Sequence, residues 1–302
     1  ARNRAIPLIR SPLVLFSGDD ILPEPYFIEA HLSAHRRYPD EKVAILGRIT
    51  WPKDFPLNTL MAHIDGVGAE QFSYYYFKDG QEYDFRHLYT SNISFSASLL
   101  QALADQEAKD SPGSQVAWFD PAFHMYGFED VDLGYRLSKL GMRILYSSTP
   151  VASHYHYHTA YSFTSRQYKS GRMACVLVHK HPELRRLIFG KGLGLYLQQA
   201  RLHCFLAGLH LAHPYTPQQV EQLEARALRL LSFYELEPHA LLDSLYTKIL
   251  NYYFYKGIVD GVLGDENLHP STDAIPGRSA KSRGKLNPSP HTLRIDRTEE
   301  QS

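Results

Sequence analysis

The stretch LVLFSGDDILPEP, residues 13–25, contains the pattern from which the fold of this chain can be predicted. Its first four residues, 13–16, are all apolar, as is typical of a short strand buried on both faces. Asp19 and Asp20 follow closely, and adjacent carboxylates repel each other unless a cation or hydrogen-bond donors lie between them. A divalent metal ion would satisfy that condition. Alternatively, one of these aspartates caps a helix that the sequence predicts from Pro23 onward.

Further strand and helix patterns follow this stretch. KVAILGRIT (42–50) is a second apolar run, YTSNISFSASLLQALAD (89–105) predicts a strand leading into a helix, and EDVDLGYRLSKL (129–140) has apolar residues at helical spacing. RILYS (143–147) and VASHYHYH (151–158) predict two more strands. This alternation predicts an α/β fold with a mixed, mainly parallel sheet, in which ligands bind at the carboxyl ends of the strands. The two aspartates would lie at such an end.

The 302 residues divide into three parts by composition. Residues 1–180 contain all the strand patterns and are predicted to form the α/β domain. Residues 181–263 have a helical pattern throughout and are predicted to form a helical extension. Residues 264–302 are rich in Pro, Ser, Asn, Lys and Arg and poor in apolar residues, which predicts a disordered tail.

Charge and cysteine content limit the classes of function. The 32 Lys and Arg residues balance the 32 Asp and Glu residues, so no basic excess is available for a nucleic-acid backbone. We therefore expect no nucleic-acid partner. The two cysteines, Cys175 and Cys204, cannot build a disulfide framework, which favours a reducing, cytoplasmic location.

No apolar run reaches the roughly 18 residues that a membrane span requires. The best candidate, LYLQQARLHCFLAGLHLA (195–212), is interrupted by polar residues and predicts an amphipathic helix. Such a helix either packs in the protein core or contacts a membrane surface. A position at the inner face of the membrane, with peripheral membrane contact, is therefore one of the expectations for this chain.

Three acidic residues, Glu129, Asp130 and Asp132, lie close together at the start of a predicted helix. Acidic residues in a first helical turn stabilise the helix through its dipole. Carboxylates so close together also raise one another's pKa, which suits a general base. Both interpretations remain open from the sequence.

The segment HYHYH has a histidine at every second position. If the segment is a strand, His154, His156 and His158 lie on one face and the two tyrosines lie on the other. Neutral imidazoles on one face can bind a metal ion. The same spacing occurs in metal-dependent hydrolases, which gives an alternative chemistry for this chain.

Weaker signals come from the polar segments ARNR, TSNISF and SRQYKSGR. Their side chains are of types that bind phosphate or sugar hydroxyls, and they are equally compatible with a solvated surface. The residues concerned are Arg2, Asn3, Arg4, Asn92, Arg166, Gln167 and Arg172.

In their order along the chain, these motifs resemble the family 2 glycosyltransferases of the GT-A fold. LFSGDDILP is similar to the family's apolar strand with its acidic motif, and FDPAFHMYGFEDVDLGYRLSKLGMRILYSS is similar to its most specific block. TSNISFSASLL, VASHYHYH and SRQYKSGR match further family segments, so that the resemblance covers about residues 1–175. It implies a GT-A-like, Rossmann-like catalytic domain that lacks its N-terminal part and is followed by a helical region.

The resemblance implies a metal site. Asp19 and Asp20 match the acidic motif that binds Mn²⁺ or Mg²⁺ at the diphosphate of a nucleotide-sugar, and Gly18 stands where the motif often has another aspartate. A histidine that closes the later strand is a metal ligand in some members. His154 and His156 both match that position, and His154 is preferred.

The resemblance also implies catalytic and donor-binding residues. Asp130 matches the catalytic base of inverting members, and Glu129 beside it would orient the base or the acceptor. Arg2, Asn3 and Arg166 lie in segments that match the family and are predicted to contact the nucleotide-sugar donor.

The implied reaction is the inverting transfer of a sugar from a nucleotide-diphosphate sugar to a hydroxyl of a carbohydrate or lipid-linked acceptor, as in polysaccharide biosynthesis. The part of the family's domain that forms much of the pocket for base and ribose has no counterpart in this sequence. Two alternatives therefore remain: a catalytically inactive fragment or carbohydrate-binding remnant, and a metal-dependent hydrolase.

Overall fold

A computed structural model describes most of the chain. The described residues are 2–68, 70–72, 74–113, 116–190, 193–208, 216–233 and 239–264. Residues Ala1–His269 form one compact unit, and the second unit, Pro270–Ser302, lies outside the described residues. The predicted disordered tail, 264–302, therefore falls outside them as well, apart from Gly264.

Strands and helices alternate in the first half of the chain, and helices follow in the second half. The strands are β1 (Leu13–Ser17), β2 (Ile21–Pro23), β3 (Val43–Thr50), β4 (Glu82–Tyr83), β5 (Asn92–Ser96) and β6 (Arg143–His154). The helices are α1 (Arg2–Ala5), α2 (Phe27–Arg37), α3 (Thr59–Asp65), α4 (Ala97–Asp110), α5 (Glu129–Lys139), α6 (Ala160–Lys180), α7 (Arg185–Phe189), α8 (Leu193–Gly208), α9 (Pro217–Phe233) and α10 (His239–Gly264).

The six strands form one sheet. Five of them lie in the order β1-β5-β3-β6-β2. The sixth, β4, lies on the same side of β6 as β2, where β2 pairs with the end of β6 and β4 pairs with its beginning. Among these strands only β3 and β6 pair in parallel, whereas the other four pairings are antiparallel. The mixed α/β class is confirmed. The prediction of a mainly parallel sheet is wrong.

Strand direction could not be predicted because an apolar run indicates burial on both faces and carries no information about direction. A parallel neighbour of β3 would have to enter the sheet at the end where β3 begins. Instead, residues 51–91 pass through β4 and return to the end where β3 finishes, and β5 runs back from there.

Helices cover both faces of the sheet. Alternate residues of β3 point to opposite sides, so Ala44 and Leu46 pack with α4 and α5, while Val43 and Ile45 pack with α2. Leu133, one of the apolar positions that predicted α5, is fully buried in the first of these clusters. The candidate site residues therefore extend from a rigid layered core.

The C-terminal helices share a core with the α/β part. Tyr246 of α10 is fully buried in one cluster with Phe163 of α6 and residues of α3. Gly171 and Gly257 let α6 and α10 approach closely, since a Cβ at either position would lie 2.1 or 2.0 Å from a carbonyl oxygen of the other helix. The predicted helical extension, 181–263, is thus packed against helices that precede it.

The helix that the sequence predicts from Pro23 begins at Phe27, because β2 first extends along the end of β6. Its N-cap residue is Tyr26, and no side chain caps it. The interpretation of Asp19 or Asp20 as a helix cap is therefore wrong.

The predicted strands RILYS and VASHYHYH are parts of one strand, β6, which ends at His154. The last four residues of the second pattern therefore lie beyond the sheet. Pairing with β3 is also interrupted within β6, since Leu46 lies opposite Tyr146 but Arg48 lies opposite Val151.

Asn92 fills this interruption. Its fully buried side chain donates to the carbonyl oxygens of Arg48 at 3.1 Å and Pro150 at 2.9 Å, and its oxygen lies 2.8 Å from His31 Nε2. Burial lowers the pKa of His31 to about 4, so the ring is neutral and can donate from Nε2. The interpretation of Asn92 as a phosphate or sugar contact is wrong, because its amide satisfies backbone groups that would otherwise be unpaired.

Gly47 gives Asn92 its space. A Cβ at position 47 would lie 2.4–2.6 Å from three atoms of the Asn92 side chain, which cannot move without breaking its hydrogen bonds. We expect Gly47→Ala to lower the free energy of unfolding by about 1–3 kcal/mol, the typical cost of overpacking, in urea denaturation. Gly194→Ala in α8 is the matched control, because no atom lies within 4 Å of its Cβ. Equal stability of both variants would contradict this explanation.

Candidate functional site

Asp20, His154 and His156 bring their ligand atoms together where β1 and β6 end. One such atom of each residue lies within 4.8 Å of the others. Oδ2 of Asp20 is 3.2 Å from His154 Nε2 and 3.4 Å from His156 Nδ1. The pairing of Ile21 with His154, and a 2.8 Å hydrogen bond from the Tyr155 N–H to the Asp20 carbonyl, bring the acidic motif to the histidines.

His154 is held in place from two sides. The Trp51 ring stacks on it with centroids 5.4 Å apart, and Gln71 Nε2 lies 3.3 Å from its Nδ1. Burial lowers the pKa of His154, against the opposite effect of the Asp20 carboxylate. The ring is therefore neutral near pH 7, which is the form that binds a metal ion.

Gln71 supplies an observation that bears on metal binding. Its amide oxygen is buried and has no hydrogen-bond partner among the described residues. A half-turn of the amide would let this oxygen accept the Nδ1–H of His154, which leaves Nε2 free for a cation. One carboxylate and two imidazoles suit Mn²⁺ or Zn²⁺ better than Mg²⁺, which prefers oxygen ligands. The residues present therefore fit a transition-metal ion.

The predicted alternation of the HYHYH segment persists beyond the end of β6. The rings of the three histidines lie 4.5–6.0 Å apart. Tyr155 and Tyr157 instead contact Phe55. His158 is fully buried, and burial followed by the Arg166 charge lowers its pKa to about 2. This third histidine is therefore neutral and packs against the other two histidines of the candidate cluster.

Arg166 has no carboxylate partner within the part of the chain that the structure describes. Its Nη1 donates to His158 Nε2 at 2.8 Å, its Nη2 donates to the Tyr126 hydroxyl, and its Nε is buried without a partner. The guanidinium also lies over the rings of Tyr126 and Phe163. A guanidinium that has no carboxylate partner among the described residues keeps its positive charge available. Because it lies beside the cluster of Asp20, His154 and His156, it suits a ligand that carries a phosphate group.

A second group of candidate residues lies at the start of α5. Oδ1 of Asp130 accepts from Arg2 at 3.0 Å, and Oδ2 accepts from the backbone N–H of Thr90 at 3.1 Å and from its hydroxyl at 2.8 Å. Arg2 also bonds Glu129 at 2.9 Å. Burial and then the Glu129 charge raise the pKa of Asp130 to about 6, against the opposing effects of Arg2 and Thr90. Its side chain is still 24% exposed, so solvent or substrate can reach the carboxylate.

The turn before α5 has an uncommon backbone conformation. Gly127 has φ 99°, and Phe128 has φ 68°, a left-handed value that bulky residues rarely adopt. Such conformations persist where the surrounding structure holds them, commonly at functional sites. In this chain the turn leads directly into Glu129 and Asp130.

Asp132 belongs to the same acidic motif but has a different environment. Its side chain is fully buried, where one oxygen is 2.7 Å from Arg136 Nη2 and the other is 2.7 Å from His181 Nε2. The contact with Arg136 lies within α5, and the contact with His181 joins α5 to the C-cap of α6. Asp132 is therefore a structural residue.

The two groups lie at the same end of the sheet. Ser17, the last residue of β1, pairs with Asn92, the first residue of β5. Asp20 follows shortly after Ser17, and Thr90, which bonds Asp130, shortly precedes Asn92.

Aromatic contacts also connect the two groups. The ring of Tyr89, next to Thr90, lies 5.2 Å from Phe72, and Phe72 lies 6.2 Å from His154. The tertiary structure thus brings Asp20 and Asp130 to one region of the protein.

Other predicted site residues have different surroundings. Asp19 is exposed and outside the cluster formed by Asp20 and the two histidines, so its metal binding stays a prediction. The Asn3 amide donates to the Phe119 carbonyl at 2.7 Å and accepts its N–H at 2.9 Å, which anchors a loop. Donor binding by Asn3, and by Arg2 with its two acidic partners, stays a prediction.

Two residues that contact His154, namely Gln71 and Trp51, have no recognisable sequence signal. Both lie in the irregular region between β3 and β5, where periodicity predicts no orientation. The aromatic richness of that region is the only feature that marks it. Thr90, which holds Asp130, lies in the segment TSNISF, but its role was not predicted.

Comparison with known proteins assigns no family. No family model matches the chain, and a search of curated proteins found no match. The chemistry of the two side-chain groups is therefore the basis for inferring a function.

Proposed function

We propose that this protein is a metal-dependent inverting glycosyltransferase that transfers a sugar from a nucleotide-diphosphate sugar to a hydroxyl of a carbohydrate or lipid-linked acceptor. One observation carries the proposal. A cluster suited to a metal ion, Asp20 with His154 and His156, and a carboxyl of raised pKa, Asp130, lie at the same end of one sheet. The resemblance of the GFEDVDLG block to family 2 glycosyltransferases supports the assignment of these roles.

Asp130 is the general base of the proposed reaction. A base with a pKa of about 6 is ionised at neutral pH and still basic enough to accept a proton from an acceptor hydroxyl. Thr90 and Arg2 fix the orientation of its carboxylate from two sides. Glu129 is a positioning residue, because it binds the other arm of Arg2 and raises the pKa of Asp130.

The donor diphosphate would lie between Asp20 and Arg166. Asp20, His154 and His156 would hold Mn²⁺, with Asp19 as a further predicted ligand, and the ion would stabilise the negative charge of the departing diphosphate. Arg166 would contribute a second positive charge. Two observations on Arg166 support this assignment. Within the described residues its charge has no carboxylate partner, and its buried Nε has no hydrogen-bond acceptor.

Exposed aromatic rings beside the metal-ligand cluster suit the sugar rings of an acceptor. Tyr155 is 60% exposed and Tyr157 is 48% exposed, and both contact Phe55. The apolar face of a sugar ring packs well on such rings. We further propose a cytoplasmic location, because Cys175 and Cys204 are both free thiols.

Metal binding gives the most direct test that does not depend on a known acceptor. We expect the full chain to bind Mn²⁺ in a titration followed by the electron paramagnetic resonance signal of the free ion, and Asp20→Ala to abolish binding. Gln71→Leu should weaken binding by about 10–100-fold, the usual effect of losing a group that orients a metal ligand. Asp54→Ala, an exposed acid on the neighbouring loop, is the control. Unchanged Mn²⁺ affinity in Asp20→Ala would overturn the metal assignment.

Transfer is tested with a panel of uridine and guanosine diphosphate sugars, with Mn²⁺ and pooled glycan and polyprenyl-phosphate acceptors. Release of the nucleoside diphosphate that requires an acceptor and stops on chelation supports the proposal. Binding of a nucleotide-sugar without turnover indicates the carbohydrate-binding remnant instead.

A metal-dependent hydrolase is the second candidate, because two histidines and one carboxylate also suit Zn²⁺. That function would use zinc and water and would not need Asp130. Stoichiometric zinc in the purified protein, with hydrolysis that persists in Asp130→Asn, would favour it over sugar transfer.

A further inference from the structure

Helix α8 is apolar on two sides. On its inner side Ala200 is buried and Leu197 packs in a cluster with α6 and α10. On its outer side three large apolar residues are 46%, 56% and 64% exposed, namely Leu195, Leu202 and Phe205. Their spacing of seven and three residues puts them on one helix face, which we call the α8 outer face.

Gln198 and Gln199 are also exposed beside these residues, so the α8 outer face combines large apolar side chains with uncharged polar ones. Several large apolar side chains on one exposed helix face indicate an interaction surface. Leu187 in the preceding helix α7 is also 43% exposed. No helix within the described residues is long and apolar enough to cross a bilayer. A surface contact is therefore the geometry to consider for α8.

The charge of this region indicates what covers the α8 outer face. The chain as a whole has equal numbers of acidic and basic residues, but residues 184–220 contain no Asp or Glu. The basic residues in that segment are Arg185, Arg186, Lys191 and Arg201. The three arginines are exposed, and none of them pairs with a carboxylate in the described ranges. This segment therefore carries a net positive charge in an otherwise neutral protein. Acidic residues lie at its two ends, namely Glu183 and Glu221. Asp260 of α10 acts electrostatically on Cys204 of α8 but is paired with Lys256.

We propose that the α8 outer face, together with Arg185, Arg186 and Arg201, docks on the surface of a membrane that contains anionic lipids. Apolar side chains would enter the boundary between headgroups and acyl chains, and the arginines would contact lipid phosphates. A second copy of the chain fits less well. A two-fold dimer would place this basic region against itself, and like charges would repel.

The proposal does not depend on the enzymatic function, and it gives a reason why a lipid-linked acceptor would be accessible to the protein. It is tested on the full chain by flotation with vesicles of phosphatidylcholine alone and of phosphatidylcholine with phosphatidylglycerol. We expect binding to the anionic vesicles only, and weaker binding as salt is added, because screening reduces the attraction between arginines and phosphates.

Substitutions distinguish the apolar and the electrostatic contributions. Phe205→Ser should weaken vesicle binding about tenfold or more, since it removes one apolar side chain that the membrane would bury. Arg201→Gln should weaken it about fivefold, as expected for one basic residue near an anionic surface. Ile28→Ser on α2 is the matched control, because Ile28 is 65% exposed and lies outside this region. Equal thermal melting of all variants shows that each is folded.

Three results would overturn the proposal. The first is absence of binding to anionic vesicles. The second is binding that Phe205→Ser, Arg201→Gln and Ile28→Ser leave equally unchanged. The third is a concentration-dependent dimer in sedimentation velocity that Phe205→Ser dissociates, which would assign the α8 outer face to a second copy.

Discussion

Asp130→Asn is expected to lower kcat by about 10²–10⁴-fold, the usual contribution of a general base, while the affinity for the nucleotide-sugar changes little. Asparagine keeps the shape of the side chain but cannot accept the proton of the acceptor hydroxyl. The measurement compares kcat with the dissociation constant of the donor from calorimetry. Asp105→Asn, an exposed acid on α4, is the control. Normal turnover by Asp130→Asn would exclude the assigned role.

The pH dependence of the reaction gives a second measurement on the same residue. Because the pKa of Asp130 is raised to about 6, kcat should rise with pH through that value and level off above it. Below that pH the carboxyl already holds a proton and cannot accept another. Glu129→Gln removes a charge that raises this pKa, so it should move the rising limb to lower pH. A limb at unchanged pH in Glu129→Gln would contradict the proposed coupling.

Asp130→Asn should also leave the protein folded with unchanged or raised stability. A raised pKa means that the folded state disfavours the ionised form of the carboxyl. A neutral side chain of the same shape removes that penalty, and its amide oxygen can still accept from Thr90. The contact with Arg2 is lost, but Arg2 is partly exposed and keeps its bond to Glu129, so this loss costs little. The melting temperature is the measurement, and a strong decrease would show that Asp130 is mainly a structural residue.

Asp132→Asn, in contrast to Asp130→Asn, should destabilise the protein. Asp132→Asn is expected to lower the free energy of unfolding by about 3–5 kcal/mol, the typical effect of removing one partner from a buried charged group. The Asp132 side chain is completely buried between Arg136 and His181. Asparagine would remove the negative charge that pairs with Arg136, and its amide N–H would face either Arg136 or His181, in a site where water cannot replace the lost contact. Urea denaturation of the two variants under identical conditions gives the comparison.

These two variants serve as controls for each other. If both lose activity and neither loses stability, Asp132 also belongs to the reaction chemistry and its assignment as a structural residue is wrong. If both lose stability, the activity loss in Asp130→Asn cannot be attributed to a missing base. Only loss of turnover at position 130 with loss of stability at position 132 agrees with the structure.

Local patterns in the sequence predicted several elements because these depend on nearby residues. The apolar run of β3, the strand-to-helix transition from β5 to α4, and the helical spacing of α5 are all found where they were expected. Strand direction was predicted wrongly, and the helix α3 was not predicted. Both lie in or depend on residues 51–91, where aromatic residues and glycines give no regular period.

The sequence by itself determined which residue types are available: carboxylates after an apolar strand, histidines at alternate positions, and three acids at the start of one helix. It could not predict that Asp130 keeps an exposed part while Asp132 is fully buried, because burial depends on groups that lie far away along the chain. Examples are Thr90 beside Asp130 and His181 beside Asp132. Arg2 is 128 residues from Asp130, and His154 is 134 residues from Asp20. Only the tertiary structure brings such groups within hydrogen-bonding distance, and burial and charge act over those short distances.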